Sequence, residues 1–142
     1  RSSVRRALSL ALDRTAMVNA VSFGKLAISF VSAPLAEKLY ALGDKLRVLR
    51  DPTRGGVATT LCEFVEKSEL SIELSEQDVP MNPTVSAACE ILGLDPLYSA
   101  NEGKLLAVVA PSAAEEALSI MKNTPEGRCA AIIGRVASNY AG

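Results

Sequence analysis

Two short loops contain the residues whose types could carry out chemistry. The first is Asp51-Pro-Thr-Arg-Gly-Gly56, between a predicted strand and a predicted helix. The oxygens of Asp51 and Thr53 can accept hydrogen bonds from amides at the helix start, and Arg54 adds a cation beside the positive end of the helix dipole. Gly55 and Gly56 let the backbone approach a ligand closely. This combination predicts an anion or carboxylate site, and the alternative is a capped tight turn with a solvated Arg54.

The second loop is Ser99-Ala-Asn-Glu-Gly-Lys104, which precedes the most strongly predicted strand. Asn101 and Glu102 place an amide and a carboxylate at the edge of an element, where sites often form. A carboxylate in a cleft acts as a general base when burial raises its pKa. The alternative is a polar turn in which Glu102 and Lys104 are solvated.

The composition excludes several classes of function. A chain of 142 residues with 49% apolar and 22% charged residues is typical of one globular domain. Its net charge of −1 provides no basic surface for nucleic acid. The absence of histidine excludes a histidine base, a serine or cysteine nucleophile paired with histidine, and histidine-containing zinc sites.

The cysteines and the apolar runs indicate a reduced, cytoplasmic protein. Cys62, Cys89 and Cys129 form no C-x-x-C pair, so we expect small core residues rather than disulfides or metal ligands. The apolar runs are shorter than the roughly 18 residues of a membrane span, and no signal-peptide pattern is present. We therefore expect no metal site in this chain, no nucleic-acid partner and no membrane partner.

Hydrophobic periodicity predicts helices and strands in alternation. Helices are predicted near residues 4–20, 34–42, 57–68, 83–92 and 112–121, and strands near 25–31, 46–49, 70–74, 104–110 and 130–136. In the helix at 83–92, the spacing of Val85, Ala88, Cys89 and Leu92 predicts an inner face. The predicted class is α/β (α+β), a mixed sheet covered by helices.

Several motifs in order resemble the hydrogenase maturation factor family HypE. They are the two loops, the Gly93-Leu-Asp-Pro-Leu-Tyr98 segment between them, and the closing Ala131-Ile-Ile-Gly134. The resemblance runs from about residue 32 to residue 136, and the set in this order is far more specific than any one motif. It implies the C-terminal lobe of an enzyme of the aminoimidazole ribonucleotide synthetase-like superfamily.

The resemblance implies an ATP-dependent carbamoyl dehydratase. HypE proteins dehydrate a carbamoyl group on the cysteine of a C-terminal tail to a thiocyanate, the source of the cyanide ligands of nickel-iron hydrogenases. By motif match, Glu102 and Asn101 are the catalytic residues, with Glu102 the proton acceptor. The cleft and its anion-binding wall are formed by the first loop and Lys104: Asp51, Thr53, Arg54, Gly55, Gly56 and Lys104. The implied partners are a second copy of the full-length protein, the carbamoyltransferase HypF and a HypC–HypD complex.

The chain departs from the family in three places. Residues 1–31 do not match, and the ATP and Mg²⁺ ligands belong mostly to an N-terminal lobe that this sequence does not contain. The sequence ends at Tyr140-Ala-Gly142, so we expect the cysteine-ended tail of the family to be missing from it. We expect a HypE-like lobe over residues 32–137, a frayed end over 138–142, and a chain that alone binds no cofactor and is inactive. The alternatives are another superfamily enzyme, such as a selenophosphate synthetase or a kinase-like protein, and a non-catalytic assembly domain.

Overall fold

A five-stranded antiparallel sheet organises the structure, a computed structural model that describes residues 24–30 and 33–138. The strands are β1 (Lys25–Phe30), β2 (Leu46–Arg50), β3 (Leu70–Leu74), β4 (Lys104–Val109) and β5 (Ala131–Ser138). Their order across the sheet is β2-β4-β1-β5-β3. All pairings among these strands are antiparallel. The predicted α/β (α+β) sheet with helical cover is therefore confirmed, with antiparallel pairings throughout the described part.

Helices connect the strands. They are α1 (Ala33–Tyr40), α2 (Gly56–Val65), α3 (Pro83–Leu92) and α4 (Ala114–Lys122). Short 3₁₀ turns occupy Gly43–Lys45, Glu76–Asp78, Pro96–Tyr98 and Pro111–Ala113. Each predicted helix and strand in the described ranges is present, within a few residues of its expected bounds. The helix predicted at residues 4–20 lies outside the described residues.

The sheet carries one hydrophobic cluster on each face, because successive side chains of a strand point to opposite sides. On one face, α1 and α4 pack Leu35, Leu39 and Met121 against alternate residues of β4 such as Ala107. On the other face, α2 packs Leu61 and other side chains against Leu106 and Val108. The central strand β1 contributes to both clusters. Apolar residues buried on both faces explain the continuous hydrophobic run that predicted β4.

Helix α3 differs from the prediction in its packing. Its ends are as expected: Asn82 Oδ1 accepts a hydrogen bond from the Thr84 amide at 2.9 Å, Pro83 occupies the first turn, and Gly93 follows the last residue with φ +65°. The predicted inner face is wrong, because only Cys89 of this helix is buried. Val85, Ala88 and Leu92 are exposed, since α3 contacts the Pro96–Tyr98 turn and does not lie on the sheet.

The cysteine prediction is also only partly right. Cys89 is buried, whereas Cys62 on α2 and Cys129 before β5 are exposed. Cys62 follows the buried Leu61 by one position, and one helical step of 100° takes its side chain off the core-facing side. All three cysteines are free thiols in the structure.

Candidate functional site

The sheet brings the two predicted loops to the same edge. Strand β2 pairs antiparallel with β4, and Arg50 at the end of β2 lies opposite Leu106 near the start of β4. The loop that leaves β2 must therefore lie beside the loop that enters β4. We call these the arginine loop (residues 51–56) and the glutamate loop (residues 99–103).

Backbone contacts join the two loops directly. The Asn101 amide donates to the Pro52 carbonyl oxygen at 3.4 Å, and Pro52 is fully buried. A Cβ placed on Gly56 would lie 2.3 Å from the Leu97 carbonyl oxygen and 2.6 Å from that of Ser99. Only a glycine at position 56 permits this approach, so the sequence of one loop fixes the position of the other.

The start of α2 is built differently from the prediction. Thr53 Oγ1 donates to Asp51 Oδ2 at 2.5 Å, so these two side chains bind each other. The residue before α2 is Gly55, with φ +71°, and no side chain caps the helix there. The prediction that Asp51 and Thr53 cap the helix is therefore wrong. With Gly56 at φ +66°, two consecutive left-handed residues turn the chain into the helix, which displaces the two side chains from the capping position.

An ion pair that sequence spacing did not predict connects the strand before the arginine loop to the helix after it. Arg50 Nη1 lies 2.5 Å from Glu63 Oε2, and both side chains are about one-third exposed. Arg50 is the last residue of β2 and Glu63 belongs to α2, so the pair closes the turn between them. Thirteen positions separate the two residues in the chain, and only the completed strand–loop–helix unit makes them neighbours.

The polar groups at this edge differ in exposure. Glu102 and Arg54 are exposed, whereas Asp51, Thr53 and Asn101 are half-buried. The site is thus an open surface that presents one carboxylate and one guanidinium to solvent. It has the groups for proton transfer and for anion contact, and it does not itself exclude water from them.

Lys104 faces a separate cavity beside the glutamate loop. The cavity has a volume of about 380 Å³, and its wall includes Lys104, Cys129, Ile28 and the Pro80–Pro83 segment. Burial lowers the pKa of the Lys104 ammonium group, and the nearby Cys129 side chain acts on this pKa in the opposite direction. Sequence reasoning missed this cavity because its walls come from four separate segments.

Metal ligands do not cluster in the described part of the chain. No group of three or more cysteine, histidine, aspartate or glutamate side chains there is arranged to hold a metal ion. Arg54 and the two glycines suit contact with a phosphate oxygen, but the donor set for Mg²⁺, which requires several oxygen ligands, is not assembled among residues 24–30 and 33–138. Within the same residues no helix is long and apolar enough to cross a membrane.

Comparisons with known proteins identify the family of this domain. Residues 27–140 match the AIR synthase related protein, C-terminal domain. The chain is 50% identical over 105 residues to the carbamoyl dehydratase HypE of Bradyrhizobium diazoefficiens. The matched segment covers 74% of this chain and 30% of the relative. The chain therefore spans less than a third of that relative's length.

Solved structures agree in fold. A chain of a HypE–HypF complex superimposes with a TM-score of 0.80 and 37% identity, covering 87% of this chain and 49% of that one. HypE in complex with ATP gives a TM-score of 0.75 and 35% identity, covering 86% and 44%. The expected resemblance is confirmed: the chain is similar to the matching part of HypE, and it belongs to the family of AIR synthase related C-terminal domains.

Proposed function

We propose that this chain serves as the C-terminal lobe of a HypE-type carbamoyl dehydratase. The reaction is the ATP-dependent dehydration of a carbamoylated C-terminal cysteine to a thiocyanate, for the cyanide ligands of a nickel-iron hydrogenase. The observation that carries the proposal is the junction of the arginine and glutamate loops. It brings the chemistry-bearing motifs shared with HypE to one exposed edge of the sheet.

The chemistry requires two changes at the carbamoyl group. ATP transfers its terminal phosphoryl group to the amide oxygen, which converts that oxygen into a leaving group. A base removes the two nitrogen protons as the carbon–oxygen bond breaks and the carbon–nitrogen triple bond forms. The products are the S-cyanated cysteine, ADP and phosphate, and the oxygen of the lost water leaves in the phosphate.

The residues of this lobe suit the second change. Glu102 is an exposed carboxylate on the glutamate loop and takes the role of proton acceptor. Asn101, half-buried beside it, can hold the carbamoyl group by its side-chain amide while its backbone amide is fixed on Pro52. Arg54 on the adjoining loop can contact the phosphoryl oxygens. Asp51 and Thr53 bind each other and thereby hold the arginine loop in shape.

Other parts of the reaction belong to protein outside the described residues. ATP binds one of the HypE relatives in its solved structure, and we assign ATP and Mg²⁺ here to a longer protein that contains this lobe. Glu102 and Arg54 are exposed, so a second lobe of the longer protein can close over these two side chains. We further propose a homodimer of the longer protein, transfer of the carbamoyl group by HypF, delivery to HypC–HypD, and a cytoplasmic location.

The test is a chimera in which residues 27–140 of this chain replace the corresponding lobe of the Bradyrhizobium diazoefficiens relative. After carbamoylation of the terminal cysteine, ATP should cause the tail peptide to lose the mass of one water, as measured by mass spectrometry. The unmodified relative is the positive control. A chimera that folds, binds ATP and accepts the carbamoyl group but never loses water would contradict the proposal.

A further inference from the structure

The starts of β4 and β5 lie on either side of β1, at one edge of the sheet. In the antiparallel pairs, Lys104 of β4 lies opposite Phe30, and Ala131 of β5 lies opposite Ile28. Both strands run against β1, so they begin at the same end of it. This arrangement brings Cys129, just before β5, close to Lys104, although the two residues are distant in the chain.

The two side chains face the same space. Leu106, two positions after Lys104 on β4, belongs to the cluster on the α2 side of the sheet, and alternation places Lys104 on that side as well. Lys104 and Cys129 both line the cavity of about 380 Å³ described above, together with Ile28 of the same cluster. The effect of Cys129 on the pKa of Lys104 agrees with this proximity.

The rest of the cavity wall is mostly apolar. Lys104 is the one charged side chain among the described residues of the wall, and Pro80, Met81 and Pro83 supply apolar surface. Cys129 is exposed, so a molecule in the cavity can reach its sulfur. The volume falls within the range of roughly 300–1,000 Å³ for small-molecule pockets. The wall therefore suits a small molecule that has a negative group for Lys104 and an atom that a thiol can attack.

The other exposed thiol has the opposite surroundings. Cys62 on α2 directly precedes Glu63, and Glu66 follows one helical turn later. Cys62 does not line the cavity of Cys129. The chain therefore contains two exposed thiols, one with a cation beside it in a cavity and one with carboxylates beside it on a helix.

We propose that Cys129 and Lys104 form a modification site for small disulfides that carry a carboxylate, such as glutathione disulfide. The Cys129 thiolate attacks one sulfur of the disulfide, whose S–S bond breaks as a new S–S bond to Cys129 forms. Cys129 is oxidised to a mixed disulfide. The other half of the reagent is reduced, leaves as a thiolate and takes up the proton that Cys129 lost.

Lys104 selects the incoming disulfide by charge. Its ammonium group pairs with the carboxylate while the apolar wall contacts the rest of the molecule. The reaction needs neither ATP nor a second lobe, so the inference does not depend on the proposed function.

Two disulfides of opposite charge test the site on the 142-residue chain. Glutathione disulfide is negative and cystamine is positive, and peptide mass spectrometry measures how fast each forms a mixed disulfide at Cys129 and at Cys62. The ratio of the two rates in one sample cancels the intrinsic reactivity of the reagent. We expect the Cys129-to-Cys62 ratio to be about tenfold higher with glutathione disulfide than with cystamine at low salt, and the difference to shrink as salt is added.

Variants identify the group that causes the preference. Lys104→Gln removes the cation from the cavity and should remove most of the difference between the two reagents, whereas Lys104→Arg keeps a cation and should retain it. Lys122→Gln is the matched control, because it removes the same charge at an exposed position of α4, on the opposite side of the sheet. Cys129→Ser should leave the rates at Cys62 unchanged.

Two results would overturn the proposal. Equal rate ratios with the two reagents would show that no cation guides disulfides to Cys129. A preference that survives in Lys104→Gln and is lost in Arg128→Gln would assign it to the exposed cation next to Cys129 in the chain, and not to the cavity. The comparison of reagents needs no variant, so it tests the proposal even if Lys104→Gln does not fold.

Discussion

A Cβ added to Gly56 would meet the carbonyl oxygen of Leu97 at 2.3 Å. Gly56 ends the arginine loop, Leu97 lies in the turn just before the glutamate loop, and the contact would be made with backbone. Backbone atoms cannot move aside as the end of a flexible side chain can. The junction of the loops therefore depends on one missing methyl group.

Gly56→Ala should strongly destabilise the protein, and Gly43→Ala is its matched control. Gly43 also has a positive φ of +56°, but a Cβ added there would meet nothing within 4 Å. We expect Gly43→Ala to cost about 1 kcal/mol of unfolding free energy, from the left-handed backbone alone. Gly56→Ala should cost about 4 kcal/mol or more, because steric overlap is added. Urea unfolding measures both, and equal losses would show that the loops are not held by this contact.

Glu102→Gln should lower the rate of dehydration and leave the stability of the fold nearly unchanged. In the chimera, we expect dehydration of the carbamoylated tail to fall by roughly 10²-fold or more, the usual scale for the loss of a positioned base. The melting temperature should stay nearly constant, because an exposed loop side chain contributes little packing. Glu126→Gln, at another exposed turn glutamate, is the control and should keep the original rate. A normal rate with a lower melting temperature for Glu102→Gln would make Glu102 structural.

Two buried threonines should respond with opposite signs to the same substitution. Thr60 is 1% exposed, and its hydroxyl has no hydrogen-bond partner among the residues that the structure describes. Thr124 is also buried, but its hydroxyl donates to the Met121 carbonyl oxygen at 2.7 Å and accepts from the Gly127 amide at 3.1 Å. Thr60→Val should stabilise by about 1 kcal/mol, and Thr124→Val should destabilise by about 1–3 kcal/mol. Thermal unfolding measures both, and a loss of stability in Thr60→Val would reveal a partner for that hydroxyl.

Tyr40 should make the protein less stable in alkali. Burial raises the pKa of the Tyr40 phenol above its ordinary value, and within residues 24–30 and 33–138 its hydroxyl has no hydrogen-bond partner. Above about pH 10, the unfolded chain loses this proton first, so stability falls as the pH rises through the folded-state pKa. The advantage of Tyr40→Phe over the original protein should therefore grow between about pH 9 and about pH 11. A difference that does not vary with pH in urea unfolding would contradict the assignment.

The three cysteines should differ in reactivity. Cys62 and Cys129 are exposed and Cys89 is buried. A water-soluble disulfide reagent should therefore modify two thiols of the native protein quickly and the third only when α3 opens or the chain unfolds. Cys89→Ser should leave the fast phase unchanged, whereas Cys62→Ser should remove half of it. Three equally fast thiols would show that α3 does not shield Cys89.

Local patterns predicted the elements well where the core of this lobe covers them. The continuous apolar run of β4 and the helix predicted near residues 57–68 depend on burial within this lobe, and both elements are present. The apolar spacing in α3 is just as regular. It failed to predict the packing because an apolar face indicates that a helix is covered, without indicating which body covers it.

The candidate site was likewise only partly predictable from local sequence. The types and order of residues in the arginine and glutamate loops were sufficient to select them as candidates. The hydrogen bond from Asn101 to Pro52 was not predictable, because it depends on which strand lies beside β2 in the sheet. Thr53 and Asp51 bind each other instead of capping α2 because Gly55 and Gly56 are both left-handed. Residue preferences at helix starts do not include this effect of the neighbouring glycines.

The strand order also determines when each strand can pair during synthesis. β1 lies at the centre of the sheet, between β4 and β5. It is the first of the five strands to leave the ribosome, and both of its neighbours are the last two. During synthesis β1 must therefore wait, with both edges open, until almost the whole lobe has emerged. Pairings between such distant segments fold slowly and expose strand edges to aggregation. We expect production of this lobe to depend on chaperones that bind nascent chains more than its final stability would suggest.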